Sequence, residues 1–271
     1  MNPFVHSGPG PARALVPGRE TAGRLLLIPA PLDFGCSEQA PLQDVMPAGT
    51  LLAASRLQHW ICENARTTRA YLKRVHAVQP LLAQIQALHI QELPRAVHKK
   101  GDHHGEFDAR PLLAPALSGH DIGLVSEAGM PAVADPGSSV VRAAHDLGLA
   151  VVALVGPVSL LLALAASGLN GQDFAFVGYL PQDPGARARR VRELETSCLK
   201  EGQTQLFIET PYRNAALMQT LLQTLAPTTR LAVSSGLTLP TARSHSATIA
   251  SWRKQSWAPD NSTPAVFAIG R

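Results

Sequence analysis

The sequence predicts an α/β fold in which both faces of the β-sheets are covered. Two observations lead to this prediction. Short apolar runs alternate with helical segments along most of the chain, and several of those runs are apolar throughout instead of alternating with polar residues. A continuously apolar strand is typical of a sheet that is buried on both faces. With 271 residues, the chain is long enough for one large domain or two of ordinary size.

Each predicted strand is a short apolar run, often β-branched, that lies between turn residues. Strands are expected at 24–30, 50–55, 122–125, 150–155, 174–180, 205–209, 231–235 and 264–270. Each predicted helix follows a loop and repeats its apolar residues at helical spacing. Helices are expected at 62–75, 138–148, 159–167, 185–200 and 212–225. Residues 76–98 fit either a helix or an excursion that ends in a strand.

The uncharged stretch 147–172 is long enough to suggest a membrane span. Gly156 and Pro157 divide it into a β-branched half, LAVVALV, and a half rich in leucine and alanine, SLLLALAASG. Strand, turn and helix is therefore the better interpretation, and no membrane segment is expected. Residues 1–22 are rich in proline and glycine, and we expect them to form a disordered tail.

The composition, with 45% hydrophobic residues and a net charge of +4, predicts a folded, mildly basic protein. Its three cysteines are widely spaced, which excludes a disulfide framework and favours a cytoplasmic location. The usual nucleotide-binding and hydrolase motifs are missing from the sequence. Potential metal ligands are densest in the loop 98–108, but a solvated loop is the better interpretation, so no metal is predicted. These ligands are His98, Asp102, His103, His104 and Glu106.

The most unusual segment is IGLVSEAGMPAVADPG at 122–137, where a predicted strand enters a loop rich in glycine and proline. Ligands of open α/β sheets bind at the carboxyl ends of strands, and small residues there let a ligand approach the backbone. A turn followed by a helix cap at Asp135–Ser138 explains the same residues equally well.

Five motifs in one order and spacing resemble the tetrapyrrole methylase family, especially its branch that methylates ribose 2′-hydroxyls of small-subunit ribosomal RNA. They are LIPAPL (27–32), VSEAGMPAVADPG (125–137), LVGPVSLLLALAASGL (154–169), FAFVGYLP (174–181) and IETPYRN (208–214). ENARTTRAYL (63–72) and HGE (104–106) also look like segments of that branch. The resemblance extends over residues 23–271.

The resemblance implies two α/β domains, 23–156 and 157–271, with S-adenosylmethionine bound in the cleft between them, and a homodimer. Carried over by position, the cofactor-binding residues would be Pro31, Leu32, Ser126, Glu127, Ala128, Met130, Val158, Ser159, Glu209 and Leu237. Methyl transfer to a hydroxyl would be helped by a nearby carboxylate. Asp135 and Glu209 are candidates, but a turn role for Asp135 and a helix cap or an ion pair with Arg213 for Glu209 stay open, so no catalytic residue is assigned.

Four features depart from the family pattern. The first loop reads Asp33-Phe34-Gly35-Cys36, the segment 63–66 reads Glu-Asn-Ala-Arg, and 236–240 lacks the expected lysine and first glutamate. The typical C-terminal helical extension is also expected to be missing. Three of the departures fall where substrate contacts are expected, so cofactor binding is the safer inference than the identity of the acceptor.

Arginines concentrate on the helices 62–75 and 185–200, and cations at a helix N-terminus invite an anionic partner. A solvated face partly neutralised by Glu193 and Glu195 is the alternative. The residues predicted to bind RNA are Arg66, Arg69, Arg187, Arg190 and Arg213. Few aromatic residues are available for base stacking.

The predicted function is S-adenosylmethionine-dependent methylation of a ribose in small-subunit ribosomal RNA. One alternative keeps the fold but methylates a tetrapyrrole or another small molecule. The other is a regulatory protein that binds the cofactor or RNA without catalysis.

Overall fold

The computed structural model describes residues 22–100, 102 and 107–271, and the chain builds two five-stranded sheets. The first sheet has the order β3-β2-β4-β1-β5 and is parallel throughout. Its strands are β1 (Arg24–Leu27), β2 (His59–Cys62), β3 (His89–Glu92), β4 (Ile122–Val125) and β5 (Ala150–Ala153). The accompanying helices are α1 (Leu42–Val45), α2 (Ala48–Arg56), α3 (Ala65–Val78), α4 (Arg95–Lys100), α5 (Ala114–Leu117) and α6 (Ser138–Asp146).

The second sheet has the order β6-β7-β10-β8-β9 and is mixed. β6 and β7 are parallel, whereas β10 runs antiparallel to both of its neighbours and β9 runs antiparallel to β8. Its strands are β6 (Phe174–Tyr179), β7 (Thr204–Glu209), β8 (Arg230–Ser235), β9 (Arg243–Thr248) and β10 (Ala265–Gly270). The helices of this half are α7 (Ser159–Ser167), α8 (Pro184–Glu201), α9 (Asn214–Thr224) and α10 (Ile249–Trp252).

Side chains pack against both faces of each sheet, as the continuously apolar strands predict. Leu25 and Leu26 are neighbours on β1, but they belong to separate clusters on opposite faces. On β7, Leu206 and Phe207 divide in the same way. This two-sided burial explains why these strands lack the alternation of a half-exposed sheet.

The predicted strand at 50–55 is wrong, because these residues lie in α2. Pro47 stands at the N-cap, and the buried Thr50, Leu51, Ala54 and Ser55 follow a helical spacing. A six-residue apolar run does not distinguish a buried strand from one face of a short helix. Residues 76–98 contain an excursion that ends in β3, so the second of the two predicted alternatives is correct there.

The predicted split of 147–172 is confirmed, since β5 and α7 stand on either side of the Gly156-Pro157 turn. No helix among residues 22–100, 102 and 107–271 is long and apolar enough to cross a membrane.

The tail predicted at 1–22 lies outside the described residues apart from its last position, and so do Gly101 and residues 103–106 of the polar loop.

Asp102 is buried, contrary to the prediction of a solvated loop. Its carboxylate accepts hydrogen bonds from the backbone N–H groups of Gly137 (2.8 Å) and Ser139 (2.9 Å) and from the hydroxyls of Ser138 and Ser139, both at 2.7 Å. Burial alone would raise the pKa of Asp102, but these hydrogen bonds outweigh it and lower the pKa below its ordinary value. Asp102 therefore caps α6 from a distant part of the chain.

Candidate active site

Three loops meet where β4, β1 and β5 end, because these parallel strands are neighbours and their carboxyl ends share one edge of the sheet. A pair of backbone hydrogen bonds joins the first two loops: Ala30 N–H donates to Gly129 O at 2.9 Å, and Gly129 N–H donates to Ala30 O at 3.0 Å. Gly129 has a φ of +71°, and a Cβ there would lie 3.3 Å from Leu32 and 3.6 Å from the Pro157 oxygen. The three loops therefore converge on one place.

The third loop depends on the glycine at 156. A Cβ at Gly156 would lie 2.4 Å from Pro29 Cβ, so the loop approaches this proline closely only because the side chain is missing. The hydroxyl of Thr50 also donates to Val155 O at 2.7 Å and holds the same loop to α2. These contacts fix the path of the backbone into α7.

A cavity of about 240 Å³ opens between these loops and the ends of β6, β7 and β8 in the second sheet. Seven of the ten residues predicted to bind the cofactor line it: Leu32, Ala128, Met130, Val158, Ser159, Glu209 and Leu237. The other three, Pro31, Ser126 and Glu127, line a second cavity of about 240 Å³, and Phe34 belongs to the walls of both cavities. The predicted residues thus occupy two neighbouring hollows.

Glu209 is a buried carboxylate in the wall of the first cavity. Its Oε1 atom accepts hydrogen bonds from Arg213 Nη2 at 2.6 Å, Arg213 Nε at 3.0 Å and the Thr210 N–H at 2.8 Å. Its Oε2 atom is buried and has no partner within the described part of the chain. A buried carboxylate oxygen without a donor is costly, so this atom is suited to a donor group of a bound molecule.

Asp135 lines the same cavity and is half-buried. Burial, followed by the negative charges of Glu63 and Glu127, raises the pKa of Asp135 to about 7. Tyr179 also lines the cavity, and its pKa is raised by burial and by the charges of Asp135 and Glu209. The cavity therefore holds a carboxyl group that changes its charge near neutral pH.

The backbone just before this carboxyl group is strained. Ala132 and Ala134 have φ values of 63° and 65°, in the left-handed region that alanine rarely adopts. Such conformations cost roughly 1–3 kcal/mol each and persist only where the surrounding structure enforces them. Asp102 holds the far end of the loop through Gly137 and Ser139, and the Ala30–Gly129 bridge holds its near end.

The second cavity is bounded by α3 and contains an internal ion pair. Asp33 is almost fully buried, and its two carboxylate oxygens accept from the Arg74 guanidinium at 2.8 and 2.9 Å. The hydroxyl of Thr67 donates to Glu127 Oε1 at 3.1 Å, whereas Ser126 Oγ is buried with no partner among the residues described. The loop 33–36, which departs from the family pattern, and the first turn of α3 therefore both line this second cavity.

The five arginines predicted to bind RNA differ in their surroundings. Arg66 and Arg69 are exposed on α3, and the partly exposed Arg190 pairs with Glu193 at 3.1 Å. Arg213 is largely buried beside Glu209. The prediction for Arg187 is wrong, because this residue is 6% exposed and its Nε donates to Thr220 Oγ1 on α9.

Three exposed aromatic side chains lie at the cavity: two of them line it, and the third is the residue that follows the lining residue Pro211 in the sequence. The low aromatic content of the chain did not predict them. Phe34 and Tyr179 line the cavity with exposed fractions of 43% and 55%. Tyr212 is 68% exposed, and the Arg213 guanidinium lies 5.3 Å from its ring centroid. Tyr179 lies in the FAFVGYLP motif and is the last residue of β6, so its position at the end of a predicted strand was the available signal. Among the described residues, no cluster of histidine, cysteine and carboxylate side chains could hold a metal.

Comparisons with known proteins agree with this architecture. A family model described as Tetrapyrrole (Corrin/Porphyrin) Methylases matches residues 50–252. The ribosomal RNA small subunit methyltransferase I of Vibrio cholerae is 38% identical over 124 residues, which are 46% of this chain and 42% of that protein. The protein of the same name from Xylella fastidiosa is 32% identical over 213 residues, which are 79% of this chain and 67% of that protein.

The crystal structure of the methyltransferase CobJ matches 92% of this chain and 95% of its own, with a TM-score of 0.53 and 16% identity. At this identity the likeness shows the fold alone. The chain spans less than half of the Vibrio cholerae relative and about two thirds of the Xylella fastidiosa relative.

Proposed function

The chain belongs to the tetrapyrrole methylase family, and on that premise we propose that it is a methyltransferase whose donor is S-adenosylmethionine. The acceptor we propose is a ribose 2′-hydroxyl of small-subunit ribosomal RNA. The names of the two bacterial relatives support an RNA acceptor, and both relatives are at least 32% identical to this chain over the matched residues.

One observation carries the proposal: three loops at the carboxyl edge of a parallel sheet converge on a cavity whose walls suit this donor. The side chains of Leu32, Met130 and Val158 offer apolar contacts for an adenine ring and a methionine chain. Glu209 Oε2, which lacks a donor within the described residues, suits a ribose hydroxyl or an ammonium group. The residues present therefore fit a molecule that is partly apolar and rich in hydrogen-bond donors.

The donor, when bound, supplies a methyl group that a positive sulfonium has already activated, so the chain's own task is alignment and the exclusion of water. The carboxylates Asp135 and Glu209 face the cavity and favour a cation there. We propose that the ten residues predicted above bind the donor, with Pro31, Ser126 and Glu127 acting from the neighbouring cavity.

For the acceptor, we propose that RNA approaches along α3 and the aromatic rim. Arg66 and Arg69 are exposed on α3 and are available for phosphate contacts. Phe34 and Tyr179 offer exposed rings at the cavity, and unstacked RNA bases bind to aromatic side chains in this way. Arg190 and Arg213 extend the proposed RNA contacts to the second half of the chain, whereas Arg187 does not belong to them.

We further propose that residues 23–156 and 157–271 are the two domains and that the protein acts as a cytoplasmic homodimer. Exposed apolar side chains near the 156–159 turn support a dimer: Val155 (72%), Leu161 (51%) and Leu162 (40%). Light scattering of the purified protein should give twice the monomer mass, and Leu162→Glu should shift it towards the monomer.

The function is tested by measuring transfer of a labelled methyl group to small ribosomal subunits from a strain that lacks the gene. We expect ribose methylation in the wild type and at least a tenfold loss for the charge-reversed double variant Arg66→Glu/Arg69→Glu. Arg56→Glu is the matched control, since Arg56 is exposed on α2 near the opposite end of the strands. Transfer to a tetrapyrrole instead of RNA would favour a small-molecule acceptor, and donor binding without any transfer would favour a regulatory protein.

A further inference from the structure

Asp135 differs from the other acidic residues around the cavity because no hydrogen bond from the described part of the chain holds its carboxyl group. Glu209 accepts hydrogen bonds from Arg213 and Thr210, and Glu127 accepts one from Thr67. The Glu63 carboxylate accepts one from the backbone N–H of Glu127 at 3.3 Å. Asp135 accepts none from any residue that the structure describes, although it is half-buried and lines the cavity. A carboxyl group in this position is available to a bound molecule.

We propose that Asp135 is the general base that accepts the proton of the acceptor's hydroxyl group during methyl transfer. This inference rests on the proposed function and adds to it a residue for which the family resemblance supplied no role. Glu209, the other candidate base, is already committed by its ion pair with Arg213 at 2.6 Å. Its other oxygen, Oε2, is the atom that the proposed function assigns to a hydroxyl or ammonium group of the donor.

The proposed step balances in atoms and charge. An electron pair of the acceptor oxygen forms the new bond to the methyl carbon, and the carbon–sulfur bond breaks with its pair remaining on sulfur. The sulfonium thereby becomes a neutral thioether. The hydroxyl proton passes to the carboxylate of Asp135, which becomes a neutral acid and later releases the proton to water.

The charges around Asp135 suit this task. Glu63 and Glu127 face it from the first half of the chain, and both raise the pKa of Asp135 together with burial. Tyr179 faces it from β6, and the paired Glu209 and Arg213, which have opposite charges, also act electrostatically on Tyr179. With a pKa of about 7, Asp135 is a stronger base than an ordinary carboxylate and still ionises at neutral pH.

The loop also holds Asp135 in a defined position. The residue follows the strained Ala134 and precedes the turn at Gly137, whose N–H is bound by the buried Asp102. A base has to lie within hydrogen-bond reach of the proton that it removes, so a fixed backbone is an advantage. The strain at Ala132 and Ala134 is consistent with a loop shaped for this purpose.

The test compares the wild type with Asp135→Asn, Asp135→Glu and the matched control Asp146→Asn, in which an exposed aspartate of α6 is changed. We expect kcat/KM of the wild type and the control, which reports the ligand-free protein, to rise with pH around an apparent pKa near 7. The Asp135→Asn variant should lose roughly 10²–10⁴-fold in kcat, and Asp135→Glu, which keeps a carboxylate, should recover part of it.

Two further measurements do not depend on turnover. Carbon-13 NMR of the aspartate carboxyl groups in the ligand-free protein should show one that titrates near pH 7, present in Asp146→Asn and absent in Asp135→Asn. Calorimetry should show that Asp135→Asn still binds S-adenosylmethionine within about tenfold of the wild type, as expected when one charge near a cation is removed.

The outcomes separate the two proposals. A wild type that methylates no acceptor would overturn the proposed function, and the role of Asp135 with it. An Asp135→Asn variant with wild-type kcat and an unchanged pH profile would overturn only the role of Asp135. A loss of kcat together with an equal loss of donor binding would also overturn it, because Asp135 would then be a binding residue.

Discussion

Asp135→Asn should make the protein more stable at pH 8, even though it removes the proposed base. The folded state raises the pKa of Asp135 from 3.8 to about 7, so above pH 7 the ionised carboxyl group costs stability. About three pKa units at 1.36 kcal/mol each give a cost of at most about 4 kcal/mol, since water in the cavity screens part of it. The cost falls as the pH is lowered through 7 and vanishes below 3.8.

Urea unfolding followed by circular dichroism at pH 8 and pH 5 measures this difference. The introduced asparagine side chain carries no charge, so the stabilisation by Asp135→Asn should be smaller at pH 5 than at pH 8, by at most about 2.6 kcal/mol. The exposed Asp146→Asn should change the free energy of unfolding by less than about 0.5 kcal/mol at either pH. Equal stabilisation at both pH values, or destabilisation at pH 8, would refute the argument that burial and like charges raise this pKa.

Two other predictions concern the loops around the cavity. Asp102→Ala should destabilise the protein by about 2–3 kcal/mol in urea unfolding, because four donors at the start of α6 lose a buried carboxylate. Asp108→Ala, which changes an exposed aspartate, is the control. If Asp102→Ala lowered the free energy of unfolding no more than Asp108→Ala does, the capping role of Asp102 would be contradicted. Gly156→Ala should cost about 1–3 kcal/mol and weaken donor binding at least tenfold in calorimetry, because the new Cβ would overlap Pro29. Gly171→Ala, where a Cβ meets nothing within 4 Å, should leave both measurements unchanged.

The order of the main strands and helices could be predicted from the sequence because each buried face requires apolar residues at the spacing of a strand or a helix. β4 and α7 were predicted with the bounds that the structure has, since one is apolar throughout and the other begins after a proline turn and ends at Gly168. β2 and β9 were missed, and β3 was predicted only as one of two alternatives for residues 76–98. The residues of β3 and β9 are mostly polar and partly exposed, so their pairing with neighbouring strands leaves little trace in the sequence.

Arg187 has a local signal of burial that its charge obscures. It shares the helical face of Val191, Leu194 and Cys198, at a spacing that predicts a buried position. Its charge suggested a surface role, yet its long side chain packs along α9 with the guanidinium bound to Thr220.

The candidate site was predictable where it depends on strand order and unpredictable where it depends on distant contacts. The three loops had to converge once β4, β1 and β5 were neighbours. The cap supplied by Asp102, 35 residues before Gly137, had no local signature. The raised pKa of Asp135 also requires Glu63 and Glu127 to approach it in three dimensions.

The bridge between Ala30 and Gly129 uses only main-chain atoms. The path of the second loop is therefore set without help from the side chains at positions 128 and 130, although both of them form part of the cavity wall. These two positions are permissive sites for engineering. A smaller residue in place of Met130 would enlarge the hollow for donor analogues that carry bulkier transferable groups, while the main chain keeps its course.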